Sequence, residues 1–232
     1  TWSTTGHTGK NVRAYAWGLE AERVIGVLDN TDIHRICTGK PIPVSVALVP
    51  GGSTWSYNAT GTDLGTDWRA FDYDDSAWLS GPAKLGYGDG DETTSIPASP
   101  VYTTYYFRHV FAVDNPGAYD ALSLRILRDD GAVVYLNGTE VARYNMPPDT
   151  VTYSTWASSA SDYDWDPALT IPNFLVAGDN ILAVEVHQGN STSSDLALDL
   201  ELTALRTDPD EIPPDTTDVA ITPGDVTALI TW

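Results

Sequence analysis

The bend Gly86-Tyr87-Gly88-Asp89-Gly90-Asp91-Glu92 sets oxygen donors and glycines in alternation. Asp89, Asp91 and Glu92 at that spacing, with glycines that let main-chain carbonyls converge, supply the donors a hard cation such as calcium takes. The pattern is not an EF-hand, because the later acidic positions and the bidentate glutamate are missing. A solvated acidic turn is the competing reading. A second stretch interleaves Asp162, Asp164 and Asp166 with Tyr163 and Trp165. Alternate carboxylates there hold a cation, or they bind hydroxyls while the rings offer flat stacking faces. Sugar recognition needs both ingredients: aromatic faces against the C–H side of a pyranose, and fixed polar groups for its hydroxyls. Tyr87, Tyr144, Trp156, Tyr163 and Trp165 fall in loop-like stretches near Arg143, Asn145 and Asp164, and these eight are the candidate carbohydrate contacts. The competing reading makes each loop aromatic a cover for the rim of the core.

Reactive chemistry is poorly provided for. His7, His34, His109 and His187 are scattered, and no Gly-x-Ser-x-Gly elbow, His-Glu-x-x-His or phosphate-binding loop occurs. Glu185 and His187 share one face of an expected strand, as a base and its orienting group would; a buried structural pair with Arg108 or Arg125 is the favoured alternative. His34 and Cys37 supply two zinc ligands without two more nearby. Asp72, Asp74 and Asp75 precede Ser76 and Trp78, and Asp75-Ser76 reads as a cap on a short helical turn.

The elements that must carry these groups are strands. Ala132, Val134 and Leu136 point to one side and Val133 and Tyr135 to the other, between reversals at Asp130-Gly131 and Asn137-Gly138. Leu122, Leu124 and Ile126 alternate with Ser123 and Arg125. Leu182, Val184 and Val186 alternate with Ala183, Glu185 and His187, and Leu196 to Leu202 repeat the pattern. Such strands are half-buried and antiparallel, and two sheets sharing their apolar faces make a sandwich. Trp55, Trp68 and Trp78 are expected to plug its ends, each indole N–H finding a carbonyl.

Composition agrees. The chain has 232 residues, with 19 glycines and 15 prolines against sparse helical periodicity, which favours an all-β fold rich in turns. With 12 basic and 32 acidic residues the formal charge is −20, so nucleic acid is excluded as a natural partner. Cys37 is the sole cysteine, so no intrachain disulfide forms. No apolar run approaches eighteen residues and no basic-then-apolar leader opens the chain, so neither membrane insertion nor a signal peptide is expected.

An ordered series of motifs, from Trp55-Ser56-Tyr57, Asp67-Trp68-Arg69 and Phe71 to Trp78, through Leu85 to Asp91 and Tyr105 to Arg108, to Asp129 to Gly138, Arg143 to Pro147, Asn180 to Gln188 and Ser193 to Asp195, resembles the galactose-binding-like jelly rolls appended to large secreted bacterial enzymes and surface proteins. The resemblance covers about 160 residues. It implies a jelly-roll sandwich, often holding a structural calcium, at an extracellular or cell-surface location, with a polysaccharide or glycan as partner.

The expected organisation is an N-terminal β-hairpin over residues 1–42, the galactose-binding-like jelly roll over 43–206, a Pro- and Asp-rich linker over 207–218, and strands of an incomplete or inter-subunit β domain over 219–232. The expected function is a non-catalytic, calcium-stabilised carbohydrate-binding module. The rival is a structural subunit of an extracellular filament, sheath or adhesin, whose terminal strands pair with copies of itself.

Overall fold

A computed structural model describes residues 43–161 and 164–207. The expected N-terminal hairpin, the linker beyond residue 207 and the final strand pair lie outside the described residues, as do His34, Cys37, Asp162 and Tyr163.

Within them the protein is all-β, and Ser45–Arg206 form one compact unit. Its strands, in order, are β1 (Pro43–Val49), β2 (Thr54–Asn58), β3 (Leu79–Pro82), β4 (Leu85–Tyr87), β5 (Thr94–Ser95), β6 (Thr104–Val113), β7 (Ala121–Asp129), β8 (Gly131–Leu136), β9 (Thr139–Tyr144), β10 (Asp164–Trp165), β11 (Leu169–Ile171), β12 (Gly178–His187) and β13 (Leu196–Thr207). A seven-stranded sheet runs β10-β7-β13-β4-β5, with β1 also on β13 and β11 also on β7; a six-stranded sheet runs β3-β2-β6-β12-β8-β9. The two stack as a jelly-roll sandwich.

The alternations read from the sequence form its interior. Leu122, Leu124, Ile126, Leu182, Val184, Val186, Leu196, Leu198, Leu200 and Leu202 are fully buried in one cluster with Trp55, Leu85, Tyr105 and Phe107. Each such side chain contributes roughly 1.5–3 kcal/mol by leaving water.

The two reversals flanking β8 do different work. Asn137 (φ 50°) and Gly138 (φ 81°) form the tight turn from β8 into β9, the positive-φ pair that a two-residue hairpin requires. The Asp-Gly reversal before β8 instead carries the chain from one sheet to the other, because β7 and β8 belong to different sheets.

The outer face of the six-stranded sheet departs from the half-buried expectation. Ala183, Glu185 and His187 on β12 and Val133 and Tyr135 on β8 are all buried. Trp68, Tyr106, Val133, Tyr135, Met146, Val151, Ala157 and Ala183 form a second apolar cluster, against which Leu64, Tyr73, Trp78 and Tyr153 also pack. Residues from two connections, 59–78 and 145–160, thus close over strands that are apolar on both faces. Trp55 and Trp68 are the expected plugs, but their indole N–H groups have no hydrogen-bond partner, so packing rather than a carbonyl holds them.

Candidate functional site

Arg108 of β6 organises the first of these connections. Its Nε donates to Asp75 Oδ2 at 2.8 Å and Nη1 to the carbonyls of Trp68 and, at 2.8 Å, Ala70. Its guanidinium also lies 5.4 Å from the centre of the Tyr73 ring. The side chain is 2% exposed, and a buried guanidinium with this many acceptors is a fixed structural post. Asp75 is therefore an ion-pair partner rather than a helix cap, and it is the Asp74 carboxylate that accepts the Ser76 N–H, at 3.1 Å.

Held this way, residues 67–74 shape a shallow cleft of about 590 Å³ lined by Asp67, Ala70, Asp72, Tyr73 and Asp74. Asp67, Asp72 and Asp74 are exposed and Tyr73 is half-buried. The Tyr73 ring meets Trp78 edge-on at 5.9 Å, so one ring stands against fixed neighbours beside three carboxylates. Hydrogen bonds from Ser76 keep the Asp74 carboxyl below the usual carboxylate range. Such a cleft presents a flat apolar face and anionic acceptors to a small polyhydroxylated ligand. Sequence reasoning missed Asp67 and Tyr73, because nothing local reveals that a β6 arginine lies beneath them.

Among the described residues, most of the candidate sugar contacts are engaged by groups of the protein itself. Tyr87 is 4% exposed, and its hydroxyl accepts from Gln188 Nε2 at 3.1 Å and lies 3.4 Å from that of Tyr105, so it is core rather than rim. Arg143 is spent on a two-pronged pair with Glu140 and on the carbonyls of Pro147 and Asp149. Asn145 (φ 50°) donates to the carbonyls of Asp130 and Ser159 and accepts from Ser159 Oγ. The Tyr144 ring packs on the core near Arg128, and burial pushes its hydroxyl pKa up to about 12. Trp156 is exposed at 38%. Asp164 pairs through its backbone with Arg128 of β7, and Arg125 lies 5.0 Å over the Trp165 ring while binding Glu201 at 3.2 Å. Tyr163 lies outside the described residues.

At the glycine-rich bend, Lys84 supplies the positive charge. Its Nζ lies 2.8 Å from Asp89 Oδ2 and 2.5 Å from Asp91 Oδ1, while Glu92 turns back to accept the N–H groups of Asp89 and Gly90. A calcium ion held by Asp89, Asp91 and Glu92 would have to displace that ammonium, so this donor set does not fit one.

Glu185 and His187 do lie together, although neither Arg108 nor Arg125 is their partner. Arg69 Nη2 binds Glu185 Oε1 at 3.2 Å and Tyr135 donates to the same oxygen at 2.6 Å. The Arg69 guanidinium also covers the Tyr135 ring at 4.2 Å. His187 Nδ1 lies 2.7 Å from the Thr155 carbonyl and 3.1 Å from Thr104 Oγ1, and its Nε2 is 3.5 Å from Glu185 Oε2. With exposures of 2% and 0%, the pair is sealed inside the second cluster, where it ties the covering loops to β12.

The remaining polar concentration sits where β7 ends. Asp130 Oδ1 accepts the Ser161 N–H at 2.7 Å, and Oδ2 accepts from Gly189 N at 2.6 Å and Ser193 Oγ at 3.3 Å. Its neighbour Asp129 is 2% exposed, and its Oδ1 has no hydrogen-bond partner. Burial, with the nearby carboxylates of Asp130, Asp195 and Asp89, pushes the Asp129 pKa up to about 8. Gln188 is also fully buried; its Nε2 donates to the Asp195 carbonyl and to the Tyr87 hydroxyl, while Oε1 has no partner.

The fold thus defines a jelly-roll sandwich whose loops, held by buried ion pairs, make its surface features. No family description and no curated relative matches the sequence. Among solved structures, the chain is similar to a Bacteroides uniformis β-glucuronidase at 17% identity and TM-score 0.46, covering 70% of this chain and 18% of that one. It is similar to a glycosyl hydrolase family 2 member from Bacteroides cellulosilyticus at 13% and 0.46, covering 69% and 20%. A β-glucuronidase from an uncultured Clostridium matches at 15% and 0.46, covering 71% and 29%. The chain therefore spans less than a third of the length of each.

Proposed function

We propose that this chain is a non-catalytic carbohydrate-binding accessory module that works outside the cell, and that its glycan lies in the cleft lined by Asp67, Ala70, Asp72, Tyr73 and Asp74. The observation that supports this reading is the Tyr73 ring, braced by Arg108 and Trp78 beside three carboxylates. The ring stacks on the C–H face of a pyranose and the carboxylates accept from its hydroxyls. An anionic cleft on a chain of charge −20 disfavours uronates and sulfated sugars, so the expected ligands are neutral glycans.

Titration of neutral and acidic oligosaccharides against the wild type, Tyr73→Ala and Asp72→Asn tests the reading. Binding of a neutral glycan, weakened at least about tenfold in Tyr73→Ala, agrees with a lost stacking contact. Wild-type binding that survives both substitutions, or no binding to any glycan in the panel, overturns it.

A further inference from the structure

The two connections that close over the six-stranded sheet are mounted in a row on one strand. Thr104, Tyr106 and Arg108 occupy alternate positions of β6 and so point to the same side. Arg108 holds the first connection, its guanidinium 5.4 Å from the centre of the Tyr73 ring. Tyr106 lies against Trp68 with 4.8 Å between ring centres, and Thr104 Oγ1 donates to the Tyr153 carbonyl of the second connection at 2.6 Å. Between Arg108 and Thr104 the strand advances about 13 Å, at roughly 3.3 Å per residue. Trp156 sits on the second connection, and the main chain on both sides of it is pinned to the interior. The Thr155 carbonyl accepts from His187 Nδ1 at 2.7 Å, and the Ala157 N–H donates to the Gln188 carbonyl at 3.0 Å. His187 and Gln188 are fully buried, whereas Trp156 is exposed. A large ring fixed through its backbone but open to solvent offers a stacking face at little entropic cost. Residues 151–161 include no charged side chain, although the whole chain carries −20.

Given a glycan in the Tyr73 cleft, on which this rests, we propose that the ligand is an extended neutral polysaccharide, a single chain of which stacks on Tyr73 at one end of the row and on Trp156 at the other. One pyranose cannot bridge anchors about 13 Å apart along the strand, so only an oligomer engages both rings. Once Tyr73 holds the chain, contact with Trp156 is made within the same complex, and each added sugar tightens binding until the chain reaches the second ring. The uncharged second connection suits such a ligand, since a neutral chain meets no charge to desolvate there.

The test is calorimetric titration of the full chain with length ladders of linear neutral oligosaccharides, built on glucan, mannan and xylan backbones and running from dimer to octamer. For the backbone that binds, the wild-type Kd tightens at least about tenfold from dimer to octamer and then levels off, the gain expected of a second stacked ring. In Trp156→Ala the octamer falls to within about twofold of the dimer, dimer affinity is unchanged and the Tm stays at the wild-type value. Tyr73→Ala weakens every length. Dimer and octamer binding equally to the wild type overturns the inference and leaves the Tyr73 cleft standing, and this ladder decides the matter even if Trp156→Ala does not fold. A length gain that survives in folded Trp156→Ala overturns it as well. No binding at any length overturns it together with the glycan reading of the cleft.

Discussion

Burial decides the role of a side chain here more than its chemical type does. Tyr87, Arg143 and Asn145 have the donors and rings a sugar site needs, yet each is used up by neighbours inside the protein. Asp129 is the opposite case, a common turn former whose surroundings change its titration. Its folded pKa of about 8 lies above the ordinary 3.8, so the folded carboxyl binds its proton more tightly than the unfolded one. The stability this adds is complete below about pH 4 and is lost as pH rises through about 8, with a slope of up to roughly 1.4 kcal/mol per pH unit. His109, lowered from 6.5 by burial, opposes it below that value. The clean window is therefore pH 6.5 to 8. In EGTA the wild type is expected to lose stability across that window, and Asp129→Asn to show a flatter profile by urea unfolding. Parallel profiles for the two proteins would show that Asp129 titrates normally in the fold.

At the scale of elements, the strands were legible and the cover was not. Period-two alternation fixes which side chains of β7, β12 and β13 face inward, because a register slip of one residue would expose them all. Asn137-Gly138 announces its turn because few other pairs accept two positive φ values. The second apolar cluster left a weaker trace: β8 reads Gly-Ala-Val-Val-Tyr-Leu, apolar on both sides, but periodicity alone cannot say what covers the second. Arg108 shows the same limit, since its acceptors are main-chain carbonyls some 38 to 40 residues earlier. Close packing also shows at Gly86 on β4, where an added Cβ would meet the Leu196 carbonyl. Gly86→Ala should pull β4 from β13 and cost at least about 2 kcal/mol in denaturant unfolding, the range of overpacking and lost ladder bonds. An unchanged midpoint would show that β4 contributes little to the sandwich.

For the whole molecule the governing quantity is charge. An excess of 20 negative charges repels itself more in the compact state than in the expanded one. Among the described residues, several ion pairs have a buried member: Arg108 is 2% exposed, Lys84 9%, and Glu185 2% opposite Arg69. Salt screens exposed charges far more than buried ones, with a Debye length falling from about 30 Å at 0.01 M to about 3 Å at 1 M. Added NaCl should thus remove surface repulsion while sparing the pairs that pin the loops. In EGTA, to keep divalent cations out of the comparison, the Tm is expected to rise by a few degrees between 10 mM and 0.5 M NaCl. A Tm that falls would mean that exposed pairs such as Arg125–Glu201 and Arg143–Glu140 outweigh the net charge. The rise carries a consequence for recognition. If surface repulsion is what salt relieves, an uncharged glycan loses nothing to it, and its affinity for the Tyr73 cleft should stay within about twofold over the same range. A cationic ligand drawn by Asp67, Asp72 and Asp74 would instead weaken steeply, so titration at both salt concentrations separates stacking on the ring from attraction by the carboxylates.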